Sequence, residues 1–171
     1  MNKAVLELMA RYNKAANEKM DKVIKTLTPI EWNKDLGGFF KSIRGNCSHM
    51  YICDYVYMQR FMTFRDFKIN DDHFLDKTYS FKDVLFENIN EYFPMREEMN
   101  RRIIDFCSEI TEQDLPKNLS FKNSHGDTIN KNFGGVVLHF LNHNTHHRGG
   151  ISVYLEQLGK ENDFNSLMPE I

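Results

Sequence analysis

Apolar or large residues recur at Val5, Leu8, Tyr12, Ala16, Met20, Val23 and Leu27, in steps of three and four. That spacing predicts a helix over about residues 2–27 with one buried stripe. Thr28-Pro29-Ile30-Glu31 has the form of a capping box with proline at the first helical position, so a short helix is expected there, ended by Asp35-Leu36-Gly37-Gly38. A second long helix fits residues 40–64, with Ile43, Cys47, Met50, Tyr57 and Phe61 on its inner side. The stretch DFKINDDHFLDKTYS is polar and aperiodic, which predicts a connecting loop. Ser80 followed by Asp83 has the pattern of a helix start, and Leu85, Ile89, Tyr92, Met99, Ile103, Phe106 and Ile110 continue at helical spacing. A third helix is therefore expected from there to about residue 110, kinked or split by Pro94, which has no donor and clashes with the preceding turn. Residues 111–132 predict a loop with a small hairpin around Ser124-His125-Gly126-Asp127, and a fourth helix follows over about 133–159. The expectation is an all-α fold: an antiparallel four-helix bundle, one domain over residues 1–171, with a short extra helix and a long loop before the last helix.

Composition agrees with one soluble globular domain. Of 171 residues, 41% are hydrophobic and 27% charged, too apolar for a disordered chain. The net charge of −2, with both signs interspersed, lacks the basic footprint of a nucleic-acid binder. The N-terminal stretch carries charges throughout, unlike a signal peptide, and no apolar run is long enough for a membrane span. Cys47, Cys53 and Cys107 match no metal or redox spacing, so reduced thiols and a cytoplasmic location are expected.

The candidate chemistry lies in LHFLNHNTHHRGG, where His139, His143, His146 and His147 fall together. The buried stripe of the fourth helix runs Val136, Phe140, His143, His147, Ile151, Tyr154, Leu158. His143 and His147 thus occupy positions where a bundle expects apolar side chains, one turn apart on one face. Burying two imidazoles is costly unless each finds a partner, and a shared metal ion satisfies both. His139 and His146 fall at the stripe's edge or outside it. A catalytic site of this kind needs a third ligand from another helix and an open position. His49, mid-way along the second helix, is the best candidate; His73 and His125 lie in expected loops, and Cys53 and Asp54 could also reach a shared site. The bland alternatives are satisfied core histidines, and Cys47 and Cys53 as small core residues. Gly149-Gly150 inside the helix either leaves room beside the metal or allows close helix packing. Asn144 stands where an H-E-x-x-H protease has its glutamate, so that general base is missing.

LHFLNHNTHHRGGISVYLEQLG resembles the C-terminal signature of the DinB-like (DNA-damage-inducible, YfiT-like) metalloenzyme family, roughly H-x-x-N-H-x-x-H-H-R-G-Q, in His139, Asn142, His143, His146, His147, Arg148 and Gly149. Tyr12, Asn13 and Asn17 are similar to the family's first helix, and GGFFKSIRGNCSHMYICDYVYMQRF to its second. Gly150 departs from the family's glutamine, and Ala15 stands where many members have tryptophan. The resemblance implies a four-helix bundle whose metal ligands are His49, His143 and His147, a divalent ion such as zinc or nickel, and a homodimer. It also implies a small-molecule substrate and a low-molecular-weight thiol as cosubstrate; it implies no nucleic-acid or membrane partner.

Three functions remain open at this point. The first is a metal-dependent thiol S-transferase. The second is a hydrolase using metal-bound water, with His146 or Asp54 as base. The third is a non-enzymatic bundle that a metal stabilises.

Overall fold

A computed structural model describes residues 2–70, 74–123 and 125–171. The four long helices are α1 (Lys3–Ile24), α3 (Ile43–Met62), α4 (Ile89–Glu109) and α5 (Phe133–Gln157), with the short α2 (Pro29–Asn33) after α1. Strands β1 (Asn118–Lys122) and β2 (Thr128–Asn132) form the expected hairpin, paired antiparallel from Asn118 opposite Asn132 to Lys122 opposite Thr128. Ser124 lies outside the described residues. Single-turn 3-10 helices occur at Lys68–Asn70 and Met168–Glu170. No described helix is long and apolar enough to cross a membrane.

Local chemistry sets the helix starts. Asn2, Ser42, Asn88 and Asn132 each accept a backbone N–H of the following turn, and Thr28 and Glu31 complete the expected capping box. The second long helix begins at Ile43 rather than residue 40, because Lys41 is held at φ +65° and only then does Ser42 cap the helix. Phe40 is thereby freed from the helix, with a consequence for the site.

The third long helix starts later than its hydrophobic spacing predicts. Ser80 and Asp83 close a turn on themselves: the Ser80 N–H donates to Asp83 Oδ2 and the Asp83 N–H to the Ser80 carbonyl. The backbone just beyond is captured by side chains of α2 and α3. Leu85 O accepts from Arg44 Nε (2.8 Å), the Leu85 N–H donates to Ser48 Oγ (3.0 Å), and Phe86 O accepts from Trp32 Nε1 (3.1 Å). Those groups are unavailable to a helical ladder, so α4 begins at Ile89. Pro94 lies on the exposed side near the start of α4 and does not split it.

Helix α1 packs on α4 and α5, and α3 packs on the same two. The pairings fix the directions. Lys3 meets Ser108 and Asn17 meets Asn100, so α1 and α4 run antiparallel; Asn46 meets His147 and Phe61 meets Phe133, so α3 and α5 do too. Asn13 meets Leu141 and Asn17 meets Arg148, so α1 and α5 run parallel, as do α3 and α4 through Asp54–Arg96 and Phe61–Phe106. The bundle is thus antiparallel across two of its four seams. Between α3 and α4, residues 63–70 and 74–88 lie against the bundle, anchored by buried Phe67, Leu75 and Phe86.

Candidate metal centre

Helix α3 is buried on almost every face, and one polar seam along it faces α5. Asn46, His49 and Cys53 follow one another at steps of three and four, so they share that seam. Opposite them stand His143 and His147, one turn apart on α5. The three histidine rings converge, with centroids 4.3 Å (His143–His147), 4.7 Å (His49–His147) and 5.6 Å (His49–His143) apart. Cys53 Sγ lies 3.3 Å from His49 Nε2. Among the described residues, His49, Cys53 and His143 form a group whose donor atoms all lie within 4.8 Å of one another and could hold a metal ion. His147 adjoins it, its Nε2 3.0 Å from that of His143.

Asn46 decides what His147 offers. Asn46 Nδ2 donates to the His147 carbonyl (3.4 Å), which turns Oδ1 toward His147 Nδ1 at 2.9 Å. The ring must then donate from Nδ1 and carry its lone pair on Nε2, the atom facing His143. Two imidazole nitrogens at 3.0 Å need either a proton or a cation between them. The donor set and the fixed tautomer fit a divalent ion of the zinc type, which nitrogen and sulfur donors hold at about 2.0–2.3 Å.

Burial keeps the rings neutral and so able to ligate. Desolvation pushes His147 down to about 3 and His49 down to about 4, with the neighbouring histidines adding to the shift. His143 is lowered too, chiefly by burial, while Asp54 partly offsets it. These folded values lie below the ordinary value near 6.5, so the unfolded chain takes up protons first. The stability they contribute is present above about pH 6.5 and is lost as pH falls through the folded values of about 4 and 3. Metal-free protein is therefore expected to lose stability between about pH 6.5 and 4. A His49→Gln/His147→Gln variant should show a much flatter profile in urea unfolding across that range; an unchanged slope would contradict the assignment.

Most of the remaining sequence candidates land elsewhere. His139 and His146 are exposed, His125 sits in the hairpin turn, and His73 lies outside the described residues. Asp54 does not reach the cluster's donors as a free carboxylate. It is fully buried against Arg96 (2.6 Å), and its other oxygen accepts from Asn144 Nδ2 (2.7 Å), on the residue next to His143. That engagement also removes Asp54 as a general base. Cys47 is a fully buried core thiol. Cys53 is buried as well, with its thiol pushed up to about 12 by desolvation, yet it stands among the donors.

The double glycine divides in role. A Cβ on Gly150 would lie 3.0 Å from Asn46 Nδ2, whereas one on Gly149 would meet nothing within 4 Å. Gly150 thus admits Asn46 to the back of His147, where a longer side chain would exclude it. Arg148 is structural: buried, it donates to Asn17 Oδ1 (3.2 Å) and Thr145 Oγ1 (3.1 Å) and lies over the Tyr12 ring. Asn46 belongs to no recognisable ligand motif in the sequence. Its position three residues before His49 is the signal that could have found it.

The model of the DinB family matches residues 1–164. Protein DinB of Bacillus subtilis (strain 168) is 25% identical over 150 residues, covering 86% of this chain and 83% of its own. No solved structure gives a significant match.

Proposed function

The chain belongs to the DinB family, and from that membership and the convergence of its buried imidazoles we propose that it is a divalent-metal-dependent thiol S-transferase acting on a small substrate. His49, His143 and His147 hold the ion, zinc or nickel, and leave a position open for a thiol. The observation that supports this reading is His147, whose Nε2 lone pair Asn46 aims into the cluster. A bound divalent ion supplies positive charge that draws the proton from a thiol, giving a nucleophilic thiolate near neutral pH. The protein's own groups prepare the place. Asn46 sets the His147 tautomer, and Asn144, held by Asp54, fixes the turn of α5 that carries His143. Phe40 packs on His49 at 4.3 Å and edge-on to His147 at 5.2 Å, keeping water off their outer faces.

The test uses protein loaded with zinc or nickel, cysteine as thiol and 1-chloro-2,4-dinitrobenzene as electrophile. The thiolate sulfur bonds to the ring carbon, chloride leaves, and the thiol proton goes to buffer. Turnover is expected only with metal present and the three histidines intact. Equal turnover by a His143→Ala/His147→Ala variant would refute the proposal.

One observation favours a second reading. If Cys53 joins the three histidines as a fourth ligand, the site is closed, and closed four-ligand sites stabilise folds rather than catalyse. Metal removal would then lower the melting temperature with no thiol ever perturbing the spectrum of bound cobalt.

A further inference from the structure

The polar seam between α3 and α5 does not stop at the histidines. One turn beyond Cys53 on α3 comes Tyr57, and one turn before His143 on α5 comes His139. Their rings are 5.9 Å apart, and His139 lies 6.2 Å from His143. Past them opens a cavity of about 330 Å³, walled by Tyr57, Val136 and His139 and bounded on the hairpin side by Phe121 and Lys131. It falls in the size range of small-molecule pockets and borders the histidine cluster at His139, the neighbour of His143.

The charge at this cavity is unbalanced. Arg60 is half-buried, with its guanidinium over Tyr57 (5.0 Å) and Phe121 (4.6 Å), two rings that line the cavity. Its Nη2 donates to the Lys122 carbonyl at 3.3 Å and the guanidinium also meets the Tyr57 side chain, which leaves part of its five donor positions for a ligand. Neither Arg60 nor Lys131 has a carboxylate partner among the described residues. A guanidinium held against aromatic rings without a carboxylate partner keeps its face on the rings and turns its in-plane donors to an incoming anion. Gly135 completes the space: a Cβ there would meet only Asn132, its Oδ1 at 3.4 Å and its Cβ at 3.9 Å.

We propose that this cavity binds the substrate that accepts the thiol, a small flat apolar molecule carrying one anionic group. Its ring lies against Tyr57, Phe121 and Val136, its anion is held by Arg60 and Lys131, and its reactive carbon faces His143. The role as acceptor site rests on the metal-centre reading; binding at the cavity does not.

Titration calorimetry of metal-loaded protein with 2-naphthoate, and with neutral 2-naphthamide, tests this directly. Saturable binding of naphthoate is expected, weakened about tenfold or more by Arg60→Gln through loss of a charge-assisted contact. Naphthamide should be little affected by that change. Gly135→Val, which fills the cavity, should abolish binding of both while leaving metal content and the far-ultraviolet dichroism as in the parent. Absence of naphthoate binding, or binding indifferent to both variants, overturns the proposal. Stoichiometric metal with no naphthoate binding removes this inference alone and leaves the metal-centre reading standing. Naphthoate binding that both variants weaken, in a protein that takes up no metal, upholds the cavity and removes the metal-centre reading.

Discussion

Arg96→Leu is expected to destabilise the protein by about 3–5 kcal/mol, the scale for removing one partner of a buried ion pair. Both members are out of solvent, Arg96 at 0% and Asp54 at 1% side-chain exposure, with Nη1 and Oδ2 2.6 Å apart. Without the guanidinium the Asp54 carboxylate keeps only the Asn144 amide. For a chain of this size the melting temperature should fall by roughly 10 °C. The reason is the stranded charge rather than the lost attraction. Asp54→Asn/Arg96→Leu should therefore recover part of the loss, since neither residue is then ionised in the core. Urea unfolding of the parent, the single and the double variant measures the cycle. A single variant within about 1 kcal/mol of the parent would mean that Asp54 is neutral or hydrated in the fold. The same change should weaken metal binding, because Asp54 orients Asn144 beside His143.

The second large effect concerns the metal itself. Protein purified without chelator is expected to carry about one divalent ion per chain if the histidines ligate as proposed. Stripping it should cost stability according to free ion over dissociation constant, about 4 kcal/mol at a thousandfold excess. His143→Ala and His147→Ala should each reduce the bound ion to near background after dialysis, and metal should no longer raise their melting temperatures. Asn46→Leu should weaken affinity by about 10- to 100-fold, as when an orienting partner of a ligand is removed. Cys53→Ser decides between the readings. Retained metal with unaltered affinity leaves three histidines and an open position, whereas a large loss makes the thiol a ligand and the site closed. Elemental analysis with competition against a chelator of known affinity gives each value. Full metal content in both histidine variants would refute the ligand assignment.

Much of the fold was legible because periodicity and capping are local. The middle of the α1 stripe from Tyr12 to Met20, the α5 stripe, the capping box at Thr28 and the hairpin before α5 all follow from residues within a few positions of one another. At the start of α1, by contrast, the expected Val5 is 40% exposed and Leu6 and Ala10 are buried in its place, because the approach of α4 and α5 sets which side faces inward. The late start of α4 was not legible. Leu85 and Ile89 keep helical spacing, but Trp32, Arg44 and Ser48 claim the backbone at residues 85 and 86 from distant parts of the chain. Asp54 shows the same limit within the site. Its position next to Cys53 suggests a ligand or a base, and only the approach of α4 reveals Arg96 as its partner.

For this protein the sequence alone determined that His143 and His147 share an inward face of one helix, with His49 as the best-placed third imidazole. A 3.6-residue period assigns faces without reference to any other helix. The tertiary structure decided which groups those histidines meet. It set Asn46 behind His147, brought Cys53 among the donors, turned Asp54 away to Arg96, and opened the cavity beyond His139. Those relations depend on the direction and register of α3 against α5 and α4. That register is set by packing across the whole bundle, which no local stretch of the chain encodes.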